Sequence, residues 1–227
     1  MDNDKTSLDR LEHCTICRST GLGLLATVKD IPYWRCHSCL GTIMDPGHWP
    51  DLTRERAIYD LHNNDCTDPG YQQFLSRLAK PLARRLVPGS AGLDFGCGPG
   101  PALADMMTGA GLEMTVFDPI YFPDNAALEC QYNFITCTEV AEHLHDPFGT
   151  FDCIDRCLLP GGWLGLMTCF QTDDSKFANW HYRRDPTHVV FYREATLATL
   201  ASRFGWQMEV PCKDVALFYK PLYKPLS

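Results

Sequence analysis

A chain of 227 residues is long enough for one full domain and a small attachment. With 45% apolar residues it can bury a sizeable core, and no run of about 18 apolar residues marks a membrane span. A net charge of −8 without a concentrated basic block argues against a broad electrostatic grip on nucleic acid, and the acidic start lacks the apolar stretch of a secretory signal. The expected compartment is therefore cytoplasmic, where twelve cysteines read as metal ligands and buried thiols rather than disulfides.

In chain order, residues 1 to 12 read as a polar tail. Cys14 and Cys17, then Cys36 and Cys39 after 18 intervening residues, have the spacing of a two-knuckle zinc ribbon. Each C-x2-C turn presents two thiolates to one tetrahedral ion. Tyr33 and Trp34 supply a strand to pack on the site, and His13 and His37 are adjacent rivals as ligands. Four thiolates leave no open coordination position, so the expected role is structural Zn2+. The ribbon occupies residues 1–45 with its tail. A Pro/Gly-marked linker and a helical lid follow over 46–88, with helices at Thr53–His62 and Tyr71–Val87. In the second helix Tyr71, Phe74, Leu75, Leu78, Leu82 and Leu86 recur on one face, after the cap Asp68 and first-turn Pro69.

The third region, 89–227, opens on Leu93-Asp94-Phe95-Gly96-Cys97-Gly98-Pro99-Gly100, a strand turning sharply into a helix. Glycines at 96, 98 and 100 let a ligand lie on the backbone at the helix N-terminus, the place where open parallel sheets bind nucleosides. The spacing is not the dinucleotide fingerprint. Asp118, after the apolar run Met114–Phe117, can accept hydrogen bonds from ribose hydroxyls. Asp94 and Asp118 flank the loop with acid, which suits an ammonium and a sulfonium better than a pyrophosphate. Cys97 in that loop reads as a small residue where bulk is not tolerated. Further strands are expected near 91–95, 114–118, 133–138 and 163–169, with an antiparallel pair near 207–211 and 215–220. Only 19 residues separate Asp118 from Thr138, so the third strand is expected truncated, at Ala127–Cys130.

With Thr138-Glu139-Val140-Ala141-Glu142-His143 ending one strand and Leu158-Leu159-Pro160-Gly161-Gly162-Trp163 leading into the next, the chain from about 70 to 227 resembles the class I S-adenosylmethionine-dependent methyltransferases. The resemblance implies an α/β, Rossmann-like, seven-stranded and mostly parallel sheet with a terminal antiparallel hairpin. It implies S-adenosyl-L-methionine as cofactor, held by Asp94, Gly96, Cys97, Gly98, Gly100, Asp118, Pro119, Thr138 and Glu139. Helices before the glycine loop often close over the cofactor in this class, which makes Tyr59 and Tyr71 lid residues. The E-V-x-E-H string is similar to that of ubiquinone-pathway O-methyltransferases, whose acids and histidine bind a divalent metal. Carried over, the ligands would be Glu139, Glu142 and His143; the competing reading, which we prefer, has Glu142 and His143 capping and packing the next helix.

Methyl transfer is an in-line displacement, in which the protein aligns the nucleophile and removes its proton. Two catalytic bases are offered: His188, in a D-x-T-H-V-x-F-Y-like string similar to many small-molecule methyltransferases, and His143. Trp180, His181, Tyr182, Arg183 and Tyr192 stand around His188 in sequence as substrate-binding residues, and Arg183 and Arg184 suit an anionic substrate group or a solvated turn. The expected partner is a small-molecule methyl acceptor, with no nucleic acid and no membrane. RNA base methylation guided by the ribbon and a non-catalytic cofactor-binding subunit are the alternatives. The first is weakened by the acidic balance and the second by the intact glycine loop.

Overall fold

The computed structural model describes residues 11–61 and 66–222. Most of the tail at 1–12, and the His62 end of the first helix, lie outside the described residues.

Two C-x2-C knuckles frame the first three strands, β1 (Leu22–Val28), β2 (Ile31–Cys36) and β3 (Thr42–Met44). Each knuckle closes the same way. Arg18 N donates to Cys14 O and Leu40 N to Cys36 O, both at 2.9 Å, and both donors adopt left-handed backbone, φ 61° and 62°. Lys29 and Asp30, also left-handed, make the two-residue turn that joins β1 to β2, as the twist of a tight hairpin demands. The sheet is completed from far along the chain: β8 (Val190–Phe191) pairs antiparallel with β3, giving the order β1-β2-β3-β8.

Helices α1 (Leu52–Tyr59) and α2 (Pro69–Ala83) follow. Asp51 caps α1 through Arg54 N, and Asp68 caps α2 through Gly70 N and Tyr71 N, so each start is fixed by its own side chain. The apolar stripe of α2 buries Leu75, Leu78 and Leu82 against Phe134, Met167, Val215 and Leu217 of the main sheet, together with Leu103 and Met107 of α3 (Ala102–Gly109).

The main sheet has six strands among the described residues, not seven. Its members are β4 (Ala91–Phe95), β5 (Glu113–Phe117), β6 (Tyr132–Thr138), β7 (Leu158–Met167), β9 (Gln207–Cys212) and β10 (Val215–Tyr219), in the order β5-β4-β6-β7-β10-β9. The first four are parallel and the last two antiparallel. The strand expected at 127–130 is a 3-10 turn, Asn125–Glu129, opened by Asp124 accepting from Ala126 N. A turn capped that way spends the short connection, and the chain crosses straight to β6, which leaves β5 as the sheet edge. Helices α4 (Pro147–Cys157) and α5 (Glu194–Phe204) cover the second face. There Phe151, Ile154, Leu197 and Leu200 join Leu93, Ile135, Leu164 and Leu166 of the sheet and Cys14, Ile16 and Ile43 of the ribbon in one apolar cluster. No helix among the described residues is long and apolar enough to cross a membrane.

Candidate functional site

At the carboxyl ends of β4, β5 and β6 lies a cavity of about 860 Å³. One end is made by the glycine loop. Gly96 (φ 76°) and Gly98 (φ 65°) are left-handed, and a Cβ on Gly96 would stand 2.4 Å from a Val140 methyl, so no larger residue fits there. Asp118, closing β5, ties the floor together: its carboxylate accepts from Gly98 N at 3.0 Å, Ile120 N at 2.8 Å and Tyr121 N at 3.0 Å. Gly96, Cys97, Gly98, Asp118, Pro119, Thr138 and Glu139 all line this cavity. Thr138 Oγ1 is buried without a hydrogen-bond partner, a polar atom whose need a ligand would meet.

Asp94 and Gly100 do not line it. Asp94 lies beneath the loop, accepting from Thr136 Oγ1 at 2.7 Å, and burial raises its carboxyl to about 6. Cys97 faces the cavity, but burial, with the Asp94 and Asp118 carboxylates nearby, pushes its thiol up to about 12. It stays protonated and is no nucleophile at neutral pH.

Helix α1 roofs the cavity with Leu52, Glu55, Arg56 and Tyr59, and α2 contributes Tyr71. Tyr121 donates its hydroxyl proton to Asp60 Oδ1 at 2.7 Å, fastening the end of α1 to the turn after β5.

The cavity is also lined by Glu142, His143, Asp185 and His188. The rings of His143 and His188 are 4.7 Å apart, edge to face. His188 Nδ1 lies 2.7 Å from the Tyr182 carbonyl, which can only accept, so the proton sits on Nδ1 and Nε2 is the basic atom. Burial lowers the His188 pKa below its usual 6.5. Its Nε2 is 4.0 Å from Asp185 Oδ2. Burial would raise the Asp185 carboxyl, yet bonds from Thr187 Oγ1 at 2.6 Å and Thr187 N at 2.9 Å outweigh that and hold it below its usual range. His143 Nδ1 meets the Thr187 carbonyl at 3.1 Å.

An acid pair, Glu142 and the half-buried Glu139, lines the same cavity as both histidines. Glu142 is fully buried, accepting from Thr168 Oγ1 at 2.9 Å and from the Tyr182 hydroxyl. Glu139 has left-handed backbone, φ 52°, an uncommon conformation for a side chain of its size. Burial and then the Glu142 charge push its carboxyl up to about 9, so it is a neutral acid at pH 7. One ligand atom each from Glu142, His143 and His188 lies within 4.8 Å of the others, whereas Glu139 is outside that group.

Of the residues flanking His188 in sequence, Trp180, His181, Tyr182, Arg183 and Tyr192 lie outside the cavity wall. Trp180 packs on Phe177, Tyr182 and Phe191; Tyr192 is buried with its hydroxyl on the Ala141 carbonyl at 2.9 Å; Arg183 is buried over Tyr33; His181 is exposed. Asp185 was not singled out by sequence reasoning, although the D-x-T-H spacing that places it under Thr187 was visible.

The four cysteines Cys14, Cys17, Cys36 and Cys39 are buried, with all sulfurs within 4.8 Å of one another. Cys14 to Cys39 and Cys17 to Cys36 are each 3.7 Å. A tetrahedron of thiolates with Zn–S of about 2.3 Å has edges of about 3.8 Å, so the set is compatible with zinc, and neither His13 nor His37 belongs to it.

A family model described as a methyltransferase domain matches residues 68–209, more than half of the chain. No significant sequence match is found among curated proteins. Solved structures with a similar fold include the 1,6-didemethyltoxoflavin-N1-methyltransferase of Burkholderia thailandensis with bound 1,6-didemethyltoxoflavin and S-adenosylhomocysteine. It is 15% identical, with a TM-score of 0.55 over 74% of this chain and 86% of that one. Another is the N-methyltransferase NodS of Bradyrhizobium japonicum WM9 in complex with S-adenosylhomocysteine, 18% identical with a TM-score of 0.53 over 75% of this chain and 100% of that one. The matched segment spans β4 through β6, the strands whose ends build the cavity, and the sheet order is that of the class I fold: the chain belongs to the methyltransferase-domain family.

Proposed function

We propose that the chain is an S-adenosylmethionine-dependent methyltransferase acting on an oxygen or nitrogen of a small molecule, with zinc at Cys14, Cys17, Cys36 and Cys39 as a structural brace. The observation that carries this reading is one cavity lined by the glycine loop and Asp118 and also by His143 and His188. When bound, the cofactor supplies an electrophilic methyl group. The residues around it have separate tasks. Gly96 and Gly98 leave room for close approach to the backbone. Three amides fix the Asp118 carboxylate and use three of its roughly four acceptor sites, so capacity remains for a ribose hydroxyl. Nε2 of His188, kept neutral by burial, takes the proton of the acceptor, and Asp185 at 4.0 Å stabilises the resulting cation. The α1 roof and Tyr71 exclude water.

Calorimetric titration with S-adenosylhomocysteine tests the assignment. Wild type should bind one equivalent, and Asp118→Ala should lose about 1.5–3 kcal/mol of binding, the range for hydrogen bonds to a charged group. Unchanged affinity in that variant, or tighter binding of a nicotinamide dinucleotide, overturns it.

A further inference from the structure

A second cavity, of about 460 Å³, lies on the other side of the 183–188 segment. Lys29 from the β1–β2 turn, Arg54 from α1, and Arg183 and Arg184 line it, with His48, Trp49 and Tyr33 among the other wall residues and no acidic residue in the lining. In a protein of net charge −8, four cationic side chains around one space without a carboxylate are an unusual concentration. None of the four forms an ion pair among the described residues. Asp45, between the lining residues Met44 and Gly47, is buried and already occupied, accepting from Trp34 Nε1 at 3.0 Å and Gly47 N at 2.9 Å.

Arg183 is the second observation. It is only 8% exposed, yet no carboxylate meets it. Its guanidinium donates to the Tyr33 hydroxyl at 3.3 Å and the Ala178 carbonyl at 3.1 Å, while Nε is buried with no partner. Five N–H donors in a rigid fork, two of them used here, and a buried charge without a counterion are the features of an oxyanion receptor.

We infer that this cavity is an anion subsite that takes the phosphoryl end of the methyl acceptor. The inference rests on the small-molecule methyltransferase reading above. Four cations exceed what one carboxylate would balance, and match a phosphate monoester or diphosphate. The position fits a substrate handle. Asp185 and His188 face the cofactor cavity, while Arg183, Arg184 and Pro186, from the same stretch, face the basic one. Likewise Arg54 faces the basic cavity and Leu52, Glu55 and Arg56 the other. The 183–188 segment contributes to both walls, so an anion held here would lie against the segment that carries the His188 base. A basic patch confined to one recess on an otherwise acidic protein favours a small phosphorylated compound over a nucleic-acid backbone, which needs a run of phosphate contacts.

Inorganic pyrophosphate is the probe, titrated calorimetrically into the full-length, metal-loaded protein. Wild type should bind one equivalent. Arg184→Gln, an exposed position, should weaken binding about tenfold, and Arg183→Gln more than that, because each removes a charge-assisted bond. S-adenosylhomocysteine affinity should stay unchanged in both variants, which also certifies their folding. Arg203→Gln, which lines neither cavity and whose guanidinium donates to Ser19 Oγ, should bind pyrophosphate like wild type. Absence of saturable binding, equal binding by all variants, or tight binding of a single-stranded RNA oligomer that displaces pyrophosphate and is lost in Arg184→Gln would each overturn the inference. Because the pyrophosphate titration needs no cofactor, failure of S-adenosylhomocysteine to bind would sink the proposed function and leave the anion result readable by itself.

Discussion

The hydrogen bonds of His188 and His143 give the two rings different work, although they touch. His188 holds its proton on Nδ1 against a carbonyl 2.7 Å away and turns Nε2 to the Asp185 side of the cavity. His143, at the end of the 3-10 turn Ala141–His143, meets the Thr187 carbonyl and so joins that turn to the segment that carries His188. His188→Ala should therefore lose about 10²–10⁴-fold in turnover with little change in cofactor affinity. His143→Ala should lower the melting temperature more than the rate constant. Turnover numbers and melting curves of both variants check this, and a stable but inactive His143→Ala would move the base role to His143. The rate of wild type should climb with pH on the acid side, with its midpoint below 6.5, and that limb should vanish in His188→Ala. Glu139 gives a stability prediction of defined sign. Its carboxyl titrates near 4.5 unfolded and about 9 folded, so between those values the unfolded chain has lost a proton that the fold retains. Stability from this group is intact below 4.5 and drains away as pH rises toward 9, by up to about 1.4 kcal/mol per pH unit. Glu139→Gln should flatten that decline, as urea midpoints measured between about pH 6 and 8 would report. At this scale the glycine loop and Asp118 were legible, because a left-handed turn and a strand-ending acid leave marks in the residue types themselves. The crowd around His188 was less so. Aromatic residues dense in a loop signal contact, and the sequence does not say whether with a ligand or with one another; here Trp180 chose Phe177, Tyr182 and Phe191.

Among the elements, the ribbon and the 171–193 segment prove to be partners. Asp174, in the 3-10 turn Asp174–Asn179, is gripped by Arg35 of β2 and by Arg193. Thr42 of β3 donates to Gln171 Oε1 at 2.7 Å, and Tyr33 of β2 packs edge-on against Phe177 at 5.0 Å. The loop that carries His188 is thus laid over a sheet whose strands are framed by the cysteine knuckles. Cys36→Ser should lower bound zinc, and it should also loosen residues 171–193, raising hydrogen exchange there and weakening acceptor use more than cofactor binding. Metal analysis paired with peptide-resolved exchange measures both; fast exchange confined to residues 11–44 would count against it. A cysteine spacing announces the knuckles, since ligand geometry dictates it. The two-residue strand β8 has no period to read, so its pairing with β3 could not be foreseen. The missing strand between β5 and β6 has a clearer reason: the connection was visibly short, and Asp124 spent it on a capped turn.

For the molecule as a whole, the apolar cluster passes without a break from Cys14 and Ile43 through Leu164 to Phe204 and Trp206. Metal-loaded protein should accordingly melt in a single calorimetric transition, with van't Hoff and calorimetric enthalpies in agreement, and chelation should lower that transition rather than split off a minor one. The strands were legible because apolar runs bounded by turn residues mark them locally, and their mostly parallel arrangement was implied by the family resemblance. The shared core was not, because it depends on contacts between segments far apart in the chain. The β3–β8 pairing has one more effect. Thr42 and Phe191 are roughly 150 residues apart, a closure whose entropy must be met before any reward arrives. During synthesis the knuckles emerge before β8 and could load metal, but the outer edge of β3 waits until Val190 and Phe191, roughly 150 residues later, have left the ribosome. For that interval the nascent protein carries an unpaired strand edge, the kind of surface that invites pairing with a neighbour on the same messenger.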